Sequence, residues 1–139
     1  MIEGISHLTF IVQDLDKMEV LLTKVLKAQK VYDSGQKTFS HSKERFFLVG
    51  NVWVAIMEGT VPSKDSYNHV AFKIGDVDYD ECLAAIISLK LKTREDRPRI
   101  HGEARSIYFY DYDNHLFELH TGTLDERLAS YKKETQPCK

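Results

Sequence analysis

Two stretches of the chain, Ile5–Val12 and Asn68–Ile74, are dense in β-favouring residues and read as strands. On the first strand Leu8, Phe10 and Val12 fall on one side, and His7, Thr9 and Ile11 on the other. Each stretch runs into an Asp-x-Asp pair, Asp14 with Asp16 and Asp76 with Asp78. Such side-chain oxygens are expected to accept hydrogen bonds from the free N–H groups of a following helix. Met18, Leu21, Leu22, Val25 and Leu26 then have the spacing of one helical face, and Tyr79, Cys82, Leu83, Ile86 and Ile87 repeat it.

More strands follow each helix. Arg45–Val49 and Val52–Met57 flank Gly50-Asn51, a hairpin signal, and Ser106–Tyr110 and Leu116–His120 flank Asp111-Tyr-Asp-Asn114. Gln29–Tyr32 and Leu91–Glu95 are weaker strand signals. The unit is βαβββ, present twice, with His7 matching His69, Phe10 Phe72, Asp14 Asp76 and Asp16 Asp78. The predicted fold is α+β: two βαβββ repeats forming a cup-shaped mixed sheet, helices outside and strand residues of both halves facing one cavity. One domain spans 1–139, with repeat one at about 4–60, repeat two at about 66–122, and a C-terminal helix and tail over 123–139. Thr-Leu-Asp-Glu126 fits a capping box that starts the last helix at Thr123, and the polar tail after Tyr131 is expected to be disordered.

Composition narrows the function. With 139 residues, 42% of them hydrophobic, the chain is long enough for one well-cored domain. A net charge of −2 with dispersed basic residues argues against a nucleic-acid partner. No apolar run approaches the roughly 18 residues of a membrane span, and the N-terminus lacks a signal pattern. Cys82 and Cys138, in a helix and a tail, do not suggest a disulfide, so a cytoplasmic location is expected.

The histidines give the chemistry. His7 lies on the strand face opposite the apolar one, and the repeat places His69 likewise. Glu118 sits between Phe117 and Leu119, which face the helices, so it points to the same side as the histidines. Two imidazoles and a carboxylate, with coordination positions left open, suit a divalent ion that must also bind substrate. Aligning Asn51 with Asn114 puts Ala55 opposite Glu118, so a symmetric fourth protein ligand is missing. His41, His101, His115 and His120 have no matched repeat partner and read as structural or solvated.

The chain resembles the vicinal oxygen chelate (glyoxalase/bleomycin-resistance/dioxygenase) superfamily, and within it fosfomycin-resistance proteins of the manganese-dependent epoxide hydrolase type. The resemblance covers nearly the whole chain. It rests on Gly4-Ile-Ser-His-Leu-Thr9, Lys37-Thr-Phe-Ser40, Ser42-Lys-Glu-Arg-Phe-Phe47, Trp53, Tyr67-Asn-His69, Arg105-Ser-Ile-Tyr-Phe-Tyr-Asp111 and Asn114-His-Leu-Phe-Glu-Leu-His120. It implies that His7, His69 and Glu118 hold Mn(II), other divalent ions being possible, and that Glu44 is the general base that activates water. By its sequence context alone Glu44 would read as a solvated loop charge. The implied substrate is fosfomycin, an epoxide bearing a phosphonate, with Thr9 placed to hydrogen-bond the reacting oxygen. Tyr108 and Arg127 match phosphonate-binding positions, and Tyr67 and Arg94 are further candidates, Arg94 ahead of Arg97 and Arg99. The lysine and serine that bind phosphonate in the glutathione-using relatives fall opposite Pro98 and Gly102, so neither that pair nor their monovalent-cation loop carries over.

The resemblance also implies a homodimer in which halves of different chains complete each cup. Alternatives keep the fold but change the chemistry. One is a thiol S-transferase using glutathione or bacillithiol, against which Glu44 argues. Others are a dioxygenase, a glyoxalase or a metal-free drug-binding module.

Overall fold

The structure, a computed structural model, describes residues 1–100 and 103–135, so the expectations for His101, Gly102 and Cys138 lie outside the described residues. The chain divides into two units: Met1–Asp65 together with the turn Asp111–Asn114, and a second that begins at Ser66.

In the first unit the elements are β1 (His7–Val12), α1 (Leu15–Val25), β2 (Gln29–Asp33), β3 (Glu44–Val49) and β4 (Val52–Glu58). Their sheet runs β1-β4-β3-β2, with β1 parallel to β4 and the other neighbours antiparallel. One sheet face is apolar: Phe47, Val54 and Ile56 are fully buried, as are Leu21 and Leu22 on α1, which packs against β4. Each such side chain contributes about 1.5–3 kcal/mol by leaving water. Across the other face the register makes three rows: His7, Trp53, Leu48; Thr9, Ala55, Phe46; and Ile11, Met57, Glu44. Gly50 turns the β3–β4 hairpin at φ +56°, where a side chain would be strained.

The second unit contains β5 (His69–Lys73), a 3-10 turn at Asp76–Asp78, α2 (Tyr79–Ser88), β6 (Thr93–Arg94), β7 (Ser106–Tyr110), β8 (Leu116–His120) and α3 (Leu124–Thr135). Its sheet has the matching order β5-β8-β7-β6, with β5 parallel to β8. Phe109 and Phe117 stack on the apolar face at 5.5 Å between centroids. The opposite face carries the rows His69, Leu116, Tyr110; Ala71, Glu118, Tyr108, Arg94; and Lys73, His120, Ser106. Ala55 and Glu118 thus occupy equivalent rungs, as the alignment of the repeats requires.

Several expectations need correction. Both leading strands open on their histidines, because the ladder to β4 starts at His7 opposite Trp53 and Ile5 is 78% exposed. Glu44, whose context suggests a solvated loop, begins β3 opposite Met57 and is buried. The strand expected over Leu91–Glu95 shrinks to Thr93–Arg94. Asp14 caps α1 by accepting from the Lys17 N–H at 3.0 Å, but Asp78 is already helical and makes no side-chain cap. Asp76 instead accepts from Arg105 Nε at 3.0 Å. Ile87, expected in the buried stripe of α2, is 62% exposed, the stripe narrowing to Cys82 and Ile86. Thr123 does accept the Glu126 N–H at 3.2 Å, yet α3 continues past Tyr131 to Thr135. Asp125 and Glu126 in its first turn and Lys132 and Lys133 in its last complement the helix dipole, so a polar sequence stays helical.

Candidate active site

Because β5 and β8 are parallel neighbours with Ala71 opposite Glu118, His69 and Glu118 project from one face. His69 Nε2 lies 3.0 Å from Glu118 Oε2. The other ring nitrogen, Nδ1, is 2.7 Å from the Tyr67 carbonyl, which can only accept, so Nδ1 bears the proton. With Nδ1 so occupied, Nε2 is the ring nitrogen turned toward the carboxylate oxygen. That arrangement needs a proton or a cation between the two atoms. Cis ligands on an octahedral ion with bonds of about 2.1 Å stand about 3.0 Å apart, so this donor pair fits a divalent ion of that kind.

Around this pair the chain gathers three of the expected substrate residues. The Tyr67 O–H donates to the Tyr108 hydroxyl at 3.2 Å, and both rings approach His69 edge-on, at 4.9 and 5.5 Å between centroids. Arg94, opposite Tyr108 in the sheet, donates to the Tyr110 hydroxyl at 3.0 Å and lies 4.9 Å over the Tyr67 ring. Burial above all, with the Glu118 charge beside it, pushes the Tyr108 phenol up, so it remains neutral at neutral pH.

Arg127 is placed apart from that trio, on α3, its Nε 3.9 Å from Glu103 Oε1. With His120, Gly122, Thr123 and Leu124 it lines a cavity of about 220 Å³. Arg97 is ion-paired with Glu103, whose carboxyl this pairing and the Ile100 N–H hold at about 2. Arg99 is tied to Asp96 and to Ser106. Of the three arginines weighed for the phosphonate, Arg94 alone shares a sheet row with Glu118 and Tyr108.

Sequence reasoning overlooked Ser106 and undervalued His120. Ser106 Oγ lies 2.6 Å from Glu118 Oε1, 2.7 Å from His120 Nδ1 and 2.6 Å from Arg99 Nη2. The signal was available, since Ser106 and Tyr108 must share a face of an alternating strand. Burial pushes the His120 imidazole down, Glu118 opposes this, and Arg127, Arg99 and Arg97 reinforce it.

The first unit holds the remaining candidates. His7 is exposed and tilted against Trp53 at 4.3 Å, and Phe46 meets Trp53 edge-on at 5.1 Å. Thr9 is exposed opposite Ala55 on the same face. Glu44, 8% exposed, has its backbone N–H bound to Ser34 Oγ at 3.0 Å. Among the described residues no hydrogen bond or ion pair engages its carboxylate. Nor do the described residues contain a group of three or more His, Cys, Asp or Glu side chains able to hold a metal: His69 and Glu118 are adjacent in the second unit, and His7 belongs to the first. His41 is exposed and His115 half-buried.

The sequence model of the Glyoxalase/Bleomycin resistance protein/Dioxygenase superfamily matches residues 4–119. The fosfomycin resistance protein FosX of Mesorhizobium japonicum is 56% identical over 133 residues, 96% of each chain. FosX of Listeria monocytogenes is 52% identical, over 94% of this chain and 98% of that one. A crystal structure of a glutamate-to-glutamine mutant of the Listeria protein, complexed with Mn(II) and 1S,2S-dihydroxypropylphosphonic acid, superposes with a TM-score of 0.86, covering 94% of this chain and 99% of that chain at 47% identity. On fold and sequence alike, this chain belongs to the Glyoxalase/Bleomycin resistance protein/Dioxygenase superfamily and, within it, to the fosfomycin resistance proteins of the FosX kind.

Proposed function

We propose that this chain confers fosfomycin resistance by Mn(II)-dependent hydrolysis of the drug's epoxide. The observation that carries the reading is the Listeria relative, alike over nearly the full length, holding Mn(II) and a dihydroxypropylphosphonate. That compound is what water addition to an epoxypropylphosphonate yields. His7, His69 and Glu118 would hold the ion, which when bound supplies Lewis acidity toward the epoxide oxygen. The Glu44 carboxylate, unengaged among the described residues, takes a proton from water as the water oxygen bonds to the ring carbon next to phosphorus. The C–O bond at that carbon breaks, its oxygen stays on the neighbouring carbon, and a proton returns to give the diol. Thr9 donates a hydrogen bond to that oxygen. Tyr67, Tyr108, Arg94 and Arg127 are assigned to the phosphonate, arginine suiting an oxyanion through its forked donors.

Repeat one (4–60) and repeat two (66–122) are read as halves of one domain, and the active form as a homodimer in the cytoplasm. No described helix is long and apolar enough to cross a membrane. The test is metal-stripped protein incubated with fosfomycin and Mn(II) without thiol, followed by phosphorus NMR. Diol should form. Product only after thiol is added would make the chain a transferase. Glu44→Gln should keep its metal and lose turnover by about 10²–10⁴-fold, the usual contribution of a general base. Normal turnover would show that Glu44 is not the base.

A further inference from the structure

Ser106 is almost fully buried, and its hydroxyl has three polar neighbours within 2.7 Å. A serine hydroxyl has one proton and two lone pairs, which allows one donated and two accepted hydrogen bonds. Counting protons assigns all three. A guanidinium can only donate, so Arg99 Nη2 gives a bond to Oγ. An ionised carboxylate can only accept, so the single hydroxyl proton goes to Glu118 Oε1. The remaining lone pair accepts from His120, which must bear its proton on Nδ1. The hydroxyl is then saturated and cannot rotate without breaking a bond. Arg99 is anchored in turn by Asp96, at 2.6 and 2.8 Å.

We propose that Ser106 is a positioning residue for the metal centre: its one O–H binds Glu118 Oε1 and so presents Oε2 to His69, with Arg99 and His120 holding the hydroxyl in place. The inference rests on the reading of His69 and Glu118 as metal ligands. A carboxylate gripped at one oxygen offers the other in a single orientation, so the ion meets a formed pair of donors. Without the grip, the carboxylate must be ordered each time an ion binds. Outer partners of this kind are typically worth 10–100-fold in metal affinity.

The experiment is a Mn(II) titration followed by electron paramagnetic resonance on wild type, Ser106→Ala, Ser106→Thr and Glu118→Ala, with melts of the metal-free proteins. Ser106→Ala should bind Mn(II) about 10–100-fold more weakly and broaden the signal of the bound ion. Ser106→Thr, which keeps the hydroxyl, should restore both; a merely structural role for Ser106 would change neither the line shape nor its rescue. Glu118→Ala should lose binding. Wild-type affinity and line shape in Ser106→Ala, with binding lost in Glu118→Ala, would overturn the positioning role and leave the ligand assignment standing. Wild-type affinity in Glu118→Ala would overturn the ligand assignment itself. Should Ser106→Ala not fold, Ser106→Cys, a weaker donor, replaces it: reduced affinity supports the inference and wild-type affinity overturns it.

Discussion

Replacing Glu118 by glutamine separates two properties that the wild-type carboxylate combines. In the metal-free chain one carboxylate oxygen accepts the Ser106 O–H at 2.6 Å, while the other lies 3.0 Å from His69 Nε2. Glutamine suits both neighbours. Its carbonyl oxygen accepts from Ser106 and its N–H group donates to His69. The amide thus keeps a hydrogen bond to each neighbour, so metal-free stability should change by no more than about 1 kcal/mol. The amide then turns hydrogen atoms toward the place where an ion needs a lone pair. Wild type bound to Mn(II) at one hundred times its Kd is stabilised by about 2.7 kcal/mol. For 139 residues the unfolding entropy is about 0.3 kcal/mol per kelvin, so the ion should raise Tm by about 9 °C. Thermal melts with chelator and with Mn(II) read both effects. Glu118→Gln should melt within about 3 °C of metal-free wild type and respond to Mn(II) by less than about 2 °C. A Mn(II) shift equal to that of wild type would refute Glu118 as a ligand.

The other predictions concern stability. Glu103 is held at about 2 by Arg97, below the usual carboxylate value, so its pairing stabilises the fold above about pH 4.3 and is lost as pH falls toward 2. The Tm gap between wild type and Glu103→Gln should be constant from pH 6 to 8 and close on acidification; a gap independent of pH would deny the ion pair. Just past the capping leucines of α1 and α2 stands a lysine at positive φ, Lys27 at +53° and Lys90 at +55°. Lys27→Gly should relieve a left-handed cost of about 1–2 kcal/mol, offset in part by the freedom glycine adds to the unfolded chain. A net gain of about 0.5–1 kcal/mol, or 2–3 °C in Tm, is expected, and a lower Tm would count against it.

Much of this fold was legible because side-chain periodicity and packing demand coincide. Leu8, Phe10 and Val12 alternate with His7, Thr9 and Ile11, and only one set could face a helix. The α1 stripe from Met18 to Leu26 is buried throughout for the same reason. Legibility failed where a tertiary partner overrides local chemistry. Asp78 resembles a cap as closely as Asp14 does, but a 3-10 turn has already made it helical. Glu44 follows Ser42-Lys43 and reads as a loop charge until the ladder to Met57 extends β3 by one residue. Ser106 lies within the matching stretch Arg105–Asp111 without standing out from it, and its weight comes from Arg99 and His120, which only the fold brings beside it.

The register gives the repeat its chemical meaning. His7 and His69 stand on equivalent rungs, but Ala55 takes the rung of Glu118, Phe46 that of Tyr108, and Glu44 that of Ser106. The neighbours differ to match. Ser106 is flanked in its row by His120 and Lys73, Glu44 by Met57 and Ile11. A residue that must hold a ligand still needs polar partners to saturate it, and the second repeat supplies them. A residue that must accept a proton from water needs its lone pairs unengaged. Apolar neighbours offer no donor to occupy them. Equivalent slots in the two sheets thus meet opposite requirements, set by whether the row is polar or apolar. This accounts for the proposed binding residues concentrating in the second repeat while the proposed base stands in the first.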